Sequence, residues 1–561
     1  MKRMLAFLSI TAILYSLMGC AHPPQEEITL NTFIDKHVAR VKPMAKEAHL
    51  AYWEAAITGD TEAYGRVSRL ELQIRSLYSD SDDYAQLKAL RASGKITDPV
   101  LARQLDVLIN IYLENQIAPD LLKEIVDLST DLEKRFSTFR GTINGKEVTS
   151  NEIKDILKDE INMAQRRKAW EASKQVAGEI GDDLVRLVKL RNQAARKLGF
   201  SNYHTLSLTA AEQDVVELDR VFQELYELTN VPFAQLKLDL DRRLAESYGI
   251  PVADLRPWHY HDPFFQETPM VYDLDLDSYY EQRDVAELSQ AYFAGIGLPV
   301  DAILARSDLY EREDKNPHAF CTDIDREGDV RILCNLRNNE QWMETILHEL
   351  GHAVYDEQHS PDVPYLLREP AHIFTTEAIA MLFGRLSRNP DWMQQMLDLS
   401  DDQRAEIETV SAKYAQLKQL IFARWAMVMF YFEKSLYANP NQNLNKLWWD
   451  MVEKYQFVTR PEGRDAPDWA AKIHFCIAPC YYHNYMLGEL FASQLHHTLV
   501  FKVLRLPEDN NTSYVGQEVV GDFLKERVFA PGKLDPWDIM IEKATGESLT
   551  AKYYVEQFVN H

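Results

Sequence analysis

Apolar residues recur three and four positions apart along most of the chain, which is the spacing of one buried face of an α-helix. Segments 101–113, 121–136 and 184–198 show this pattern, and similar segments follow one another from about residue 33 to residue 240. Residues 20–32, which include a Pro-Pro pair, show no such periodicity. The pattern therefore predicts a series of helices that follows a short tether, residues 20–32.

Two segments depart from helical spacing. Residues 251–269 are rich in proline and aromatic side chains and are predicted to form a loop. Residues 319–324 and 329–336 favour two strands of a hairpin that turns at Glu327 and Gly328. Helical spacing resumes before and after this hairpin, and there is no repeat and no long linker. We therefore predict one mostly α domain over residues 33–561, with a small β-hairpin beside the helix that follows it.

The composition is that of a globular protein, with 46% hydrophobic and 26% charged residues. Only 21 of the 561 residues are glycine, while good helix formers are abundant, which also favours a mostly α fold. The formal net charge is −25, and no run of basic residues occurs. Because nucleic-acid binding depends on Lys and Arg that neutralise phosphates, these features argue against a nucleic-acid partner.

The N-terminus has the pattern of an export signal. Two basic residues precede an apolar run over residues 5–18, which is short for a membrane span and leads into polar sequence. The run ends in Leu-Met-Gly-Cys at 17–20, which is similar to a bacterial lipobox, whose cysteine becomes the lipid-bearing N-terminus. We expect residues 1–19 to be a lipoprotein signal peptide and lipidated Cys20 to hold the protein on a membrane of the bacterial cell envelope, facing the periplasm or the exterior. A plain secretory signal with a chance cysteine is the alternative.

Four cysteines follow Cys20, and an even number in an exported protein is typical of disulfides. In the hairpin register that a turn at residues 327–328 predicts, Cys321 and Cys334 face each other within reach of a disulfide. Cys476 and Cys480 are four residues apart, a spacing that one helical turn can bring together. This second pair is expected to be either a disulfide or two buried thiols.

The clearest chemical signal is the string His-Glu-Leu-Gly-His at 348–352, on a predicted helix over 339–358. Residues four apart on a helix project in the same direction, so His348 and His352 can bind one zinc ion. Glu349 lies one step round the helix, where it can accept a proton from water held by the metal. Two surface histidines on a helix are the alternative. One apolar stripe lies on another face of this helix: Met343, Ile346, Leu347, Leu350, Ala353 and Val354.

A catalytic zinc needs a third protein ligand and an open position for water. Downstream of the two histidines, Arg368 and Glu369 are followed by Glu377 near the start of an apolar segment. These residues resemble the peptidyl-dipeptidase family typified by angiotensin-converting enzyme, in which the third zinc ligand is a Glu nine residues after the Arg of an Arg-Glu pair. The resemblance implies one zinc ion held by both histidines and Glu377, with Glu357 and Glu369 as the nearest competing carboxylates.

The resemblance extends towards the C-terminus. The Trp pair at 448–449 and the Lys-Tyr-Gln string at 454–456 are similar to a stretch that precedes the family's substrate-binding lysine. Lys472 and His474 match the family's Lys and His, which are two residues apart. This match implies that Lys472 binds the C-terminal carboxylate of a peptide and that His474 stabilises the tetrahedral intermediate.

Further residues match the family's substrate-binding positions. Tyr482 and Tyr485 have the spacing of a tyrosine pair, which implies that Tyr482 contacts the substrate carboxylate and Tyr485 the oxyanion. The pair lies one residue later than expected, so Tyr481 is a rival for the first role. His318 and Ala319, on the predicted hairpin strand, match a His-Ala pair that binds the peptide backbone.

Two positions depart from the family pattern. The family has an Asp one helical turn after the third zinc ligand, where it orients a zinc-binding His, but Met381 stands here. Asn484 occupies the place of an Arg that binds chloride in animal members. The resemblance therefore implies neither the usual orientation of the zinc ligands nor activation by chloride.

The resemblance implies a zinc peptidase that acts on short peptides and releases C-terminal dipeptides, with Glu349 as the base. It also implies a mostly helical ellipsoid with a deep central channel, whose entrance the N-terminal helices shield. A thimet-oligopeptidase-like enzyme that cuts inside short peptides is one alternative. A catalytically inactive peptide-binding scaffold is another, whereas a structural zinc site is disfavoured because such sites have four protein ligands, often cysteines.

Overall fold

The computed structural model describes residues 23–269, 275–507 and 511–559, and the predicted signal peptide and Cys20 lie outside them. The described chain is mostly α, as predicted, with 22 α-helices and four short strands. Its first helices are α1 (Gln25–Thr58), α2 (Thr61–Tyr78), α3 (Ser81–Ala92), α4 (Pro99–Glu114), α5 (Pro119–Thr138), α6 (Ser150–Asp159), α7 (Met163–Lys197), α8 (Tyr203–Ala210), α9 (Val215–Tyr248), α10 (Asp277–Tyr280), α11 (Val285–Gly295) and α12 (Asp301–Arg306). The others are α13 (Glu340–Glu357), α14 (Ile373–Gly384), α15 (Pro390–Leu397), α16 (Asp401–Ala438), α17 (Leu444–Gln456), α18 (His474–Ile477), α19 (His483–His497), α20 (Glu518–Leu524), α21 (Trp537–Thr545) and α22 (Lys552–Phe558).

Helix α1 begins earlier than the sequence pattern predicts. It starts at Gln25, so the predicted tether is wrong for residues 25–32. The carboxylate of Glu27 accepts hydrogen bonds from the backbone N–H groups of Thr97, at 2.7 Å, and Asp98, at 3.1 Å. Leu30 is fully buried in a cluster with side chains of α4. Contacts about 70 residues away in sequence thus hold a helix whose own pattern is weak.

The apolar side chains form one large core and smaller clusters around it. The large core extends from Leu121 in α5 to Phe558 in α22, and α13 lies within it. The predicted apolar stripe of α13 is buried along its whole length. A separate cluster joins α1 to α4 and ends on Leu366. No helix of the described chain is both long and apolar enough to cross a membrane.

Each of the two small sheets is an antiparallel hairpin. Strands β1 (Gly141–Ile143) and β2 (Lys146–Val148) are joined by a turn at Asn144 and Gly145, which both have positive φ. The helical pattern of the surrounding sequence obscures this Asn-Gly turn signal. Strands β3 (Phe320–Asp323) and β4 (Val330–Leu333) form the predicted hairpin, just before α13.

The register of β3 and β4 differs from the predicted one by two residues, because Cys321 pairs with Ile332 and not with Cys334. The cause is a longer turn, in which the Asp325 carboxylate accepts the backbone N–H groups of Glu327, at 3.0 Å, and Asp329, at 3.2 Å. All four cysteines of the described residues are free thiols, so the predicted disulfide between Cys321 and Cys334 is wrong. Cys476 and Cys480 are two buried free thiols, which was one of the two predicted states of this pair.

Two glycines allow three helices to cross closely. A Cβ at Gly351 of α13 would lie 2.7 Å from the Cα of Ala380 in α14, which no larger residue tolerates. A Cβ at Gly488 of α19 would lie 3.2 Å from the Cβ of Glu377 in α14. These approaches bring α14 against both neighbours, and side chains from all three helices meet at one place.

Candidate active site

Helix α13 presents the two histidines of the 348–352 string towards one point. The helix begins after Asn339, whose side chain accepts the backbone N–H of Trp342 at 3.0 Å and so caps the first turn. Its apolar stripe faces the core, which turns His348 and His352 towards a cavity. The two ring centroids are 4.9 Å apart. Burial lowers the pKa of both histidines, so both rings are neutral and able to bind a cation.

Glu377 of α14 completes a group of three potential metal ligands. One donor atom from each of His348, His352 and Glu377 lies within 4.8 Å of the others, and His348 Nε2 is 3.8 Å from Glu377 Oε2. Two donors on a tetrahedral zinc ion, each bonded at about 2.0–2.1 Å, lie about 3.3 Å apart. The separation is therefore close to what zinc requires. Two imidazoles and one carboxylate beside a cavity are the donor set of a catalytic zinc site that keeps one position open.

The competing carboxylates are engaged elsewhere. Glu369 forms ion pairs with Arg326 and Lys533, which hold its pKa at about 2 although burial opposes this. Glu357, at the end of α13, accepts a hydrogen bond from Arg306 at 3.3 Å. Neither belongs to the group of three, so the geometry favours Glu377 as the third ligand.

Glu349 lies next to the three potential metal ligands but is not one of them. It is 8% exposed, and burial, with a smaller contribution from the charge of Glu377, raises its pKa to about 8. The backbone N–H of Cys321 faces this carboxylate and opposes the rise in its pKa. Burial likewise raises the pKa of Glu377 to about 7. A bound dication would stabilise both carboxylates in their charged forms. With such an ion bound, Glu349 could accept a proton at the cavity wall.

A cavity of about 620 Å³ is lined by the three potential metal ligands and by residues of β3. Ala319, which directly precedes β3, lines it, whereas His318 is exposed and does not line it. Because Cys321 directs its N–H towards Glu349, Ala319, two residues earlier, presents its backbone groups on the same edge. This edge has no neighbouring strand within the described chain, so it can pair with an extended peptide.

A second cavity, of about 610 Å³, is lined by the predicted carboxylate-binding residues. Lys472 is 8% exposed, and burial lowers its pKa to about 8. Its ammonium donates to Gln266 Oε1 at 2.6 Å. Gln266 belongs to the 251–269 loop and carries no signal in the sequence. Its amide adds a second polar group beside the lysine, where both can face a carboxylate.

Tyr482, Tyr485 and His474 line the same cavity. Tyr482 lines it and accepts the Trp425 indole N–H at 2.7 Å, which leaves the Tyr482 hydroxyl proton free to donate. Tyr481 does not line this cavity and packs against Tyr485 with ring centroids 5.3 Å apart, so the geometry favours Tyr482 for the carboxylate role. Burial lowers the pKa of His474 to about 4, and a neutral imidazole retains one N–H to donate.

Asn484 does not face this cavity. Its side-chain oxygen accepts a hydrogen bond from Gln213 at 2.7 Å, and the Gln213 oxygen lies 2.8 Å from His483 Nε2. All three side chains are buried. A neutral network therefore occupies the place that the family resemblance assigns to a charged arginine.

Comparison with known proteins agrees with this arrangement. The family model described as angiotensin-converting enzyme matches residues 24–559. The angiotensin-converting enzyme of Mesocricetus auratus is 22% identical over 553 residues, covering 92% of this chain and 40% of that protein. The enzyme of Rattus norvegicus is 24% identical over 469 residues, covering 77% of this chain and 35% of that protein.

A bacterial relative was also found. Carboxypeptidase 1 of Bacillus subtilis (strain 168) is 26% identical over 275 residues, covering 44% of this chain and 53% of that protein. This chain thus spans about half or less of the length of the curated relatives it matches. The family match nevertheless includes every helix and strand described above. The chain therefore belongs to the family described as angiotensin-converting enzyme, a family of peptidases.

Proposed function

We propose that this protein is a zinc-dependent peptidase that removes C-terminal dipeptides from short peptides. The observation that carries the proposal is one arrangement of side chains. Three potential zinc ligands lie within 4.8 Å of one another, beside the buried carboxylate of Glu349 and a cavity that contains the ammonium of Lys472. The names of the relatives, angiotensin-converting enzyme and carboxypeptidase, support action on peptides.

His348, His352 and Glu377 would hold the ion, and each supplies a donor that zinc prefers. When bound, zinc supplies Lewis-acid chemistry, since it polarises a carbonyl and lowers the pKa of a water to about 7. Glu349 accepts the proton of the attacking water and then returns it to the leaving amine. The same carboxylate therefore acts first as base and then, once protonated, as acid.

Donors on the Lys472 side stabilise the charge that develops on the scissile carbonyl oxygen. Burial raises the pKa of Tyr485, and the nearby charge of Glu377 raises it further. The Tyr485 hydroxyl therefore stays protonated and can donate a hydrogen bond. His474 lines the same cavity and carries one ring N–H. Fixed donors of this kind contribute most of the stabilisation in acyl-transfer enzymes.

The substrate is held by its two ends. The free edge of β3 at Ala319 pairs with the backbone on the N-terminal side of the scissile bond. Lys472, Tyr482 and the Gln266 amide bind the terminal carboxylate on the other side. The separation of this carboxylate site from Glu349 determines how many residues are released, and the family resemblance gives two.

Amidation of the substrate's C-terminus is expected to lower kcat/KM about tenfold to a hundredfold, because one charge-assisted hydrogen bond contributes on the order of 1.5–3 kcal/mol. Lys472→Ala should show a similar loss with the free acid. The variant should lose little more with the amidated peptide, because the partner of the lysine is already absent. Kinetics of both proteins with a matched acid and amide pair measure this.

Lys418→Ala is the matched control, since Lys418 lines the same cavity but pairs with Glu344 at 3.1 Å. It should keep the full preference for the acid over the amide. Equal kcat/KM for the free-acid and amidated peptides in the unmodified protein would contradict the proposed carboxylate-binding site. Cuts at several distances from the C-terminus would then favour the oligopeptidase alternative.

We also propose that the mature protein is lipid-anchored through Cys20 on a membrane of the bacterial cell envelope, facing the periplasm or the exterior. The Leu-Met-Gly-Cys string at 17–20 supports this, and acyl chains would supply the anchor. Cys20→Ala should release soluble protein or leave the signal peptide uncleaved. Membrane fractionation and the mass of the mature N-terminus test it, and unchanged fractionation with an unlipidated N-terminus would refute it.

A further inference from the structure

Thr376 contacts one of the metal-binding histidines from outside the group of three. Its Oγ1 lies 2.8 Å from His352 Nδ1, and the residue is 7% exposed. Thr376 directly precedes Glu377 on α14, so the helix that supplies the third ligand also supplies this contact. Gly351 fixes the approach of α13 and α14 at the crossing, which keeps the two side chains within hydrogen-bond distance.

This hydrogen bond orients the imidazole. An imidazole that gives the lone pair of Nε2 to a cation carries its proton on Nδ1 and must donate it. Thr376 Oγ1 is the acceptor at that nitrogen. The contact therefore selects the tautomer and the ring plane that direct Nε2 towards His348 and Glu377.

Other groups do not supply this contact. Met381, one helical turn after Glu377, is apolar and packs at the α14–α19 crossing, where its Sδ lies 3.3 Å from a Cβ built on Gly488. In the part of the chain that the structure describes, neither His348 nor His352 hydrogen-bonds to a carboxylate. The hydroxyl of Thr376 is thus the group in place to orient a histidine.

We propose that Thr376 is a positioning residue for zinc, which orients His352 through its hydroxyl. The inference rests on the zinc site of the proposed function. A hydroxyl is neutral, so it orients the ring without adding negative charge. Removal of such an outer partner typically lowers metal affinity by about tenfold to a hundredfold.

The test is zinc affinity, measured by competition with a chromogenic chelator and without substrate. Thr376→Val keeps the shape of the side chain but removes the hydroxyl, and it should weaken zinc binding about tenfold to a hundredfold. Thr376→Ser keeps the hydroxyl and should stay within about threefold of the unmodified protein. Thr376→Ala should show the same loss as the valine variant, and it replaces that variant if valine prevents folding.

Thr375→Val is the matched control on the same helix. The Thr375 hydroxyl donates to the carbonyl of His372 at 2.7 Å and does not contact a metal-binding residue, so this variant should lose stability but keep its zinc affinity. The visible spectrum of the cobalt-substituted protein gives a second readout. It should change in Thr376→Val and return in Thr376→Ser, because it reports ligand geometry.

The outcomes separate this inference from the proposed function. Unchanged zinc affinity and an unchanged cobalt spectrum in both Thr376→Val and Thr376→Ala would overturn the role of Thr376 and leave the ligand assignment intact. If the unmodified protein does not bind zinc, the proposed function itself fails, and the inference fails with it.

Discussion

Glu349→Gln is expected to lower kcat/KM about a hundredfold to ten-thousandfold, which is the contribution of a positioned general base. Glutamine has the shape of glutamate and still presents an oxygen to the Cys321 N–H, but it cannot take a proton. Because burial raises the pKa of Glu349, replacing its carboxylate with a neutral amide should not destabilise the fold. Peptide hydrolysis, zinc content and thermal unfolding of the variant test this.

The three readouts distinguish a base from a ligand. Glu349 lies outside the group of three donors, so zinc content should stay at the level of the unmodified protein. Loss of zinc together with activity would make Glu349 a ligand instead. Activity within tenfold of the unmodified protein would exclude it as the base.

Glu377→Ala is expected to weaken zinc binding about a hundredfold to a thousandfold and to abolish hydrolysis at limiting zinc. Apparent zinc binding of about 10–16 kcal/mol in four-ligand sites corresponds to about 2.5–4 kcal/mol for each ligand. Chelator competition measures the affinity, and added zinc should restore part of the activity.

Glu357→Gln is the matched control for this prediction. Glu357, at the end of α13, is one of the two competing carboxylates, and it accepts a hydrogen bond from Arg306 at 3.3 Å. This variant should keep its zinc. Full zinc affinity in Glu377→Ala, with a loss of affinity in Glu357→Gln, would make Glu357 the third ligand instead of Glu377.

Helix α13 could be predicted from sequence because its signals are local. The apolar stripe recurs at helical spacing, and the two histidines lie four residues apart on one helix. The expected segment, 339–358, differs from α13 only by the capping residue at each end. Glu377 followed from resemblance, and the close crossing at Gly351 explains how α14 brings it to the histidines.

Features that depend on distant contacts could not be predicted. The start of α1 is held by Thr97 and Asp98, which a local pattern does not include. The register of β3 and β4 depends on how the Asp325 carboxylate folds the turn, and a turn placed at Glu327 and Gly328 shifts the pairing by two residues. The error carried over to the cysteines, since the predicted disulfide depended on that register.

The sequence also could not predict the polar partners of the site residues, Gln266 and Thr376. Gln266 meets Lys472 across 206 residues, and the sequence of the loop around it stands out only for its proline and aromatic content. Thr376 was visible as one of two adjacent threonines, but only the helix crossing shows which of them meets His352. Side chains whose roles depend on packing between helices carry no periodic signal.

Release of C-terminal dipeptides can be tested by mass spectrometry of the products that the zinc-loaded protein forms from short peptides with free C-termini. Every first product should lack two C-terminal residues, and the Glu349→Gln variant should leave the same peptides almost uncut. Cleavage at varied internal positions, or equal cleavage by the Glu349→Gln variant, would contradict the proposed function.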